Sequence, residues 1–147
     1  MKSTSLFLAI LTLGGALAAA APTPAATRAA SLLPLYENVC SALAADNCPA
    51  ARTAARQLAA DASQLDQQDL ATAATSVSQA NSLADARQAF RTLSTDAIAL
   101  ARQQKGFFIL HCPMADADWV QSTRVVANPY LGQKMPGCGV VTGVTKG

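Results

Sequence analysis

The chain has one histidine, one tryptophan, two tyrosines and four phenylalanines in 147 residues. A lone histidine excludes a multi-histidine metal centre. So few aromatic residues disfavour an all-β domain, because strands are enriched in them. Charge is sparse and balanced, with 11 Lys and Arg against 9 Asp and Glu and a formal net charge of +2. A nucleic-acid binder needs a basic stripe to displace counterions from phosphates. A polybasic membrane anchor needs clustered positive charge. The chain has neither. Alanine is abundant, at 33 residues, and it is the best helix former. The length suits one domain. Alanine and the N-terminal segment inflate the apolar fraction of 51%, so the expected core is modest.

The first residues read as an export signal. Lys2 supplies a positive charge, Leu6 to Leu17 is uncharged and apolar, and Ala18-Ala19-Ala20 supplies small residues for cleavage. Twelve residues rise only about 18 Å as a helix, short of the ~30 Å hydrocarbon core. The expectation is therefore a signal peptide over 1–20, cut after Ala20, and not a membrane span. Export places the remaining chain in an oxidising compartment, the periplasm. Residues 21–33, with Pro22 and Pro24 among alanines, read as a flexible leader. A folded unit is then expected over 34–139, with a tail at 140–147.

The folded unit begins with helical spacing. Pro34 suits a first helical turn, and Leu35, Tyr36, Val39, Cys40 and Leu43 share one face. Asp46-Asn47 ends this stretch and caps the next, which has Pro49 in its first turn and Ala51, Ala55, Leu58, Ala62 and Leu65 on its stripe. Leu70, Ala73, Ala74 and Val77 form a weaker third stripe. Ser82 with Asp85 resembles a capping box. It opens a fourth stripe of Leu83, Ala86, Phe90, Leu93, Ala97 and Leu100, with Gly106 as its terminator. The spacing predicts helices over 34–45, 49–64, 68–80 and 83–104. The fold class is mainly α, an antiparallel four-helix bundle, with Phe90, Leu93 and Leu58 among its most buried residues. The carboxylates are scattered over caps and solvent faces.

The texture changes after Gly106. Phe107 to Leu110 is strand-like, and Trp119-Val120-Gln121 and Val125-Val126 are short strand candidates. Pro113, Asn128-Pro129, Gly132, Pro136-Gly137 and Gly139 punctuate them. The reading is a small irregular β or loop cap on the bundle, anchored by Trp119 and Tyr130.

Two sulfur pairs carry the chemistry. In His111-Cys112-Pro113-Met114, Pro113 biases Cys112 towards an extended conformation. Cys112 and Met114 should then share a face, with His111 opposite. In Met135-Pro136-Gly137-Cys138, Pro followed by Gly predicts a type II turn that holds Met135 near Cys138. If the segments meet, Cys112, Cys138, Met114 and Met135 converge, with His111 as an optional fifth donor. Soft sulfur ligands select Cu(I), and Ag(I) by the same chemistry. Hard cations are disfavoured, and zinc needs more nitrogen or thiolate donors than are at hand. The competing fate is a Cys112–Cys138 disulfide. It would close a loop of 26 residues and stabilise the fold by roughly 3.5 kcal/mol in the chain-entropy model. Cys40 and Cys48 form a second candidate bridge, open only if Cys48 still belongs to a loop. No catalytic constellation is expected. There is no C-x-x-C motif, and adjacent strand residues such as His111 and Cys112 face apart, whereas a Cys–His nucleophile needs them facing.

Tyr36, Ala42-Leu43, Asp46, Phe90 and Leu93-Ser94 are followed in order by Cys112-Pro113-Met114, Trp119-Val120-Gln121, Asn128-Pro129-Tyr130-Leu131-Gly132, Met135 and Cys138-Gly139. This succession resembles a bacterial family of exported helical domains of unknown function. Its members occur alone or joined to adaptor subunits of copper and silver efflux systems. The resemblance spans roughly 34–139, and it implies a four-helix domain, a link to metal efflux and no established activity. It also implies an efflux adaptor as partner, met in trans because no adaptor domain is present here. Cys40, Cys48 and the alanine-rich first half depart from the family pattern. The sequence therefore yields two readings, a periplasmic Cu(I)- or Ag(I)-binding accessory protein and a disulfide-stapled interaction module without metal.

Overall fold

The computed structural model describes residues 28–147. The expected signal peptide, its cleavage site and most of the leader lie outside them. Residues 28–30 form a helical turn. Helices α1 (Leu32–Ala44), α2 (Cys48–Gln64), α3 (Gln68–Ser78) and α4 (Leu83–Ala101) follow. Strands β1 (Lys105–Cys112), β2 (Ala117–Gln121) and β3 (Val140–Lys146) complete the chain, with a short 3-10 turn at Gly132–Lys134. The protein is mainly helical with a small antiparallel sheet at its C-terminal end. No helix among the described residues is long and apolar enough to cross a membrane.

The caps form as their residue types dictate. The Asn47 side chain accepts the Ala50 N–H, with Pro49 in the first turn of α2. Ser82 accepts the Asp85 N–H and donates its hydroxyl to the Asp85 carboxylate. The chain leaves α1 and α2 through Asp46 and Asp66, both at φ 57°. Aspartate tolerates that left-handed conformation better than most residues with a Cβ. Each helix packs on its neighbour in sequence, and α4 also packs on α1 and on β2. Leu58, Phe90 and Leu93 are fully buried, as their stripes require.

The start and end of the folded unit differ from expectation. Ala29, Leu32 and Leu33, placed in the flexible leader by their neighbours, are buried, because Leu32 and Leu33 extend the apolar face of α1 backwards. Helix α4 stops at Ala101, and Gly106 lies in β1 at φ 87°. The cap is a small three-stranded antiparallel sheet in the order β2-β1-β3, and the β1–β3 pairing is interrupted by register shifts. Residues 140–147, read as a tail, supply β3, since Val140, Val141, Val144 and Thr145 are β-branched and find β1 as partner. Val125-Val126 is loop, not strand. The buried side-chain amide of Gln121 donates to the Thr123 and Val125 carbonyls and curls that segment out of any ladder.

Helices and sheet join along the outer edge of β2. The Asp118 carbonyl accepts hydrogen bonds from the Ser94 hydroxyl at 2.9 Å and the Tyr130 hydroxyl at 2.6 Å. The Val120 N–H points at the Tyr36 hydroxyl, which also contacts Ser94. The helices thus satisfy an edge that would otherwise present bare backbone groups. An aromatic run crosses the same boundary. Tyr36 stacks on Phe90 at 5.4 Å, Phe90 meets Tyr130 at 5.5 Å, and Tyr130 meets the edge of Trp119 at 6.2 Å.

Candidate functional site

Cys112 is the last residue of β1 and shares a face with Leu110, both turned inward and fully buried. Its Sγ lies 3.1 Å from the Sγ of Cys138. Both are free thiols. The chain turns after Cys112 through residues 113–116, with Asp116 at φ 45°. Burial works against ionising Cys112, but hydrogen bonds from Cys138, Ala115, Asn128 and Met114 outweigh it and lower the thiol below its ordinary value. Cys138 is raised, first through its hydrogen bond with Cys112, then through desolvation and the neighbouring charge. The pair is therefore asymmetric, with Cys112 fully buried and Cys138 half-buried.

Asn128 positions the second thiol. It is fully buried, and every polar group it carries is engaged. Its Oδ1 accepts the Tyr130 and Leu131 N–H groups, its Nδ2 donates to the Cys138 carbonyl, and its own N–H donates to the Pro136 carbonyl. The Met135–Cys138 turn forms, closed by the Cys138 N–H on the Met135 carbonyl at 3.1 Å. Gly137 lies outside the left-handed region, so this is not the type II turn that Pro-Gly suggested. Gly139 then lets the chain pass over Trp119, where a Cβ would stand 2.5 Å from the indole.

Two arginines of α4 hold the loops that carry the thiols. Arg91 donates to the Ala115 and Asp116 carbonyls of the Cys112 hairpin and lies over the Tyr130 ring. Arg87 donates to the Pro129 and Leu43 carbonyls and pairs with Asp46. Gly132 fits against that pair at φ 55°, where a Cβ would collide with Asp46 and Arg87.

The sequence-predicted donors separate into three groups. Cys112 and Cys138 meet. Met114 and Met135 lie on the turns beside them with their side chains towards solvent, 68% and 38% exposed. Met114 does not share the Cys112 face, because the strand ends at Cys112 and its two-residue alternation stops there. His111 faces the other side of the sheet, where its Nδ1 lies 2.9 Å from the Asp118 carboxylate. Among the described residues no group of three or more His, Cys, Asp or Glu side chains converges for a metal. The donor set that remains, two thiols with thioethers at hand, suits a soft monovalent cation of low coordination number and not zinc or a hard ion. Cys40 is buried in α1 beside Tyr36, and burial pushes its thiol far up. Cys48 is the first residue of α2. They are not bridged.

Asn128, Arg87 and Arg91 were not legible as site residues. Asn128-Pro129 signalled only a turn, and the arginines lay off the apolar stripes. No curated protein and no solved structure is similar enough to this chain to be matched. A family described as "Protein of unknown function (DUF3347)" matches residues 32–106. That span holds α1 to α4 and ends as β1 begins, so the thiol pair lies beyond it. It covers just over half of the chain, which belongs to this family.

Proposed function

We propose that the chain is an exported, non-catalytic accessory protein that takes up one soft monovalent cation, Cu(I) or Ag(I), at Cys112 and Cys138. The observation that carries the reading is the pair of free thiols 3.1 Å apart, and the lowered thiol of the inner cysteine agrees with it. Thiolates bring charge as well as softness and dominate such a site. Metal–sulfur bonds of about 2.3 Å let two ligands sit up to ~4.6 Å apart. Loading would leave Cys112 on its strand and let the half-buried Cys138 shift outward by at most roughly 1.5 Å. Met114 and Met135, exposed on either side, are available as weak additional donors. The cellular setting belongs to the same proposal. The chain acts in the periplasm after signal removal, its helices form an antiparallel bundle, and it serves a heavy-metal efflux adaptor in trans. The export-like N-terminal sequence supports this setting.

A disulfide staple is the second reading, and the same 3.1 Å approach favours it. Titration of the fully reduced protein with Cu(I) against a chromophoric chelator separates the two. The metal reading expects one tightly held equivalent, lost in Cys112→Ser and Cys138→Ser and only weakened in Met114→Leu. A reduced protein that leaves all of the copper on the chelator is a stapled module and nothing more.

A further inference from the structure

The two thiols differ in access. Cys112 is fully buried at the end of β1, beneath the 113–116 turn that Arg91 holds closed through the Ala115 and Asp116 carbonyls. Cys138 is half-buried and follows the exposed residues 133–137, which close one short turn before it. An external disulfide therefore meets Cys138 first, and Cys112 waits 3.1 Å behind it. Thiol–disulfide exchange requires the attacking sulfur to be accessible, and only Cys138 of the pair keeps surface open to solvent.

We infer that Cys112 and Cys138 form a directional redox pair, with Cys138 the sulfur that exchanges with an external disulfide and Cys112 the resolving sulfur, and that closing the pair abolishes cation uptake. The gating half rests on the proposed function; the exchange order does not. In the first step the Cys138 thiol gives up its proton and its sulfur attacks one sulfur of R–S–S–R. A Cys138–S–S–R bond forms, the R–S–S–R bond breaks, and one R–S⁻ leaves and takes a proton. In the second step the Cys112 thiolate attacks the Cys138 sulfur. The Cys112–Cys138 bond forms and the second R–S⁻ leaves. The two protein thiols lose two electrons and two protons, and the external disulfide is reduced to two thiols. The closed pair offers no thiolate, so the soft cation loses its dominant ligands. Both sulfurs already stand in contact, so the second step needs a rotation about side-chain bonds and no rearrangement of the strand.

The test uses the reduced full chain carrying Cys48→Ser, mixed with oxidised glutathione without metal and quenched at intervals. Peptide mass spectrometry then locates the adducts. Near-UV circular dichroism checks the fold of each variant, and the quench of the chain with both site thiols intact needs no substitution at the pair. That chain is expected to show a transient glutathione adduct on Cys138 and then the internal disulfide. Cys112→Ser stops at the Cys138 adduct. Cys138→Ser gains an adduct on Cys112 about tenfold or more slowly. A first adduct on Cys112, or equal rates in the two variants, overturns the order. The oxidised chain is expected to take up no Ag(I) and to regain one equivalent on reduction; full uptake by the oxidised chain overturns the gating. A reduced chain that exchanges in the stated order yet takes up no Ag(I) overturns the proposed function and the gating with it, and upholds the redox pair alone.

Discussion

The two ends of the molecule hold themselves together in different ways. In α1 to α4 the interior is mostly alanine, leucine and valine at helical spacing, with Tyr36, Cys40 and Phe90 among them, and the contacts between helices are mostly apolar. In the region from Lys105 onward, single polar side chains fix single backbone groups. Asn128 sets the loop before Cys138, Gln121 curls residues 122–126, and Arg87 and Arg91 reach across from α4. The helical part needs side chains of about the right size and polarity. The C-terminal part needs particular atoms in particular places. The thiol pair sits in the second kind of structure, where geometry at one sulfur can be held.

Near-isosteric changes should therefore be tolerated in one region and not in the other. The largest effect is expected at Gly132→Ala. The residue has φ 55° and the new Cβ would overlap Asp46 and Arg87. Left-handed strain and overpacking together cost about 3 kcal/mol or more, read as a loss in denaturant midpoint. Asn128→Asp comes next. It keeps the acceptor for Tyr130 and Leu131 but removes the donor to the Cys138 carbonyl and buries a charge, at a cost of roughly 2–3 kcal/mol. Faster alkylation of Cys138 in native conditions should accompany it. Leu58→Met, in the fully buried centre of α2, is a change of equal chemical size and should cost less than about 1.5 kcal/mol. If it costs as much as Asn128→Asp, the two regions do not differ as described.

The smallest effect concerns pH. The Asp96 carboxyl on α4 is raised above the ordinary carboxylate range by partial burial and then by Asp69. The folded state thus binds that proton more tightly than the unfolded chain, and stability falls as pH rises through the carboxylate range. Asp96→Asn should gain about a few tenths of a kcal/mol at neutral pH, and the gain should vanish in acid, where both forms are neutral.

The helices were legible because period and caps are local. The start of α2 at Cys48 and of α4 at Leu83 follow from Asn47, Pro49 and Ser82, each within one turn of its effect. The sheet was half legible. Phe107 to Leu110 and Trp119 to Gln121 have strand residues and form strands. β3 does not stand out, because Gly143 interrupts it and its partner β1 lies some thirty residues away. The meeting of Cys112 and Cys138 was expected from the turn chemistry on each side, yet its details were not. Pro113 extends the chain only up to itself, so Met114 leaves for solvent, and the partner that turns His111 away is Asp118 across the hairpin. Such pairings depend on register, which no window of sequence contains.

The central claim is that one soft cation is held by two thiolates and by no imidazole. X-ray absorption at the copper edge, on the reduced full chain loaded with one equivalent of Cu(I), reads the ligands directly. The account predicts a first shell of sulfur alone at about 2.3 Å, unchanged in His111→Ala and lost in Cys112→Ser. A shell containing nitrogen that disappears in His111→Ala, or a sulfur shell that survives Cys112→Ser, would contradict it.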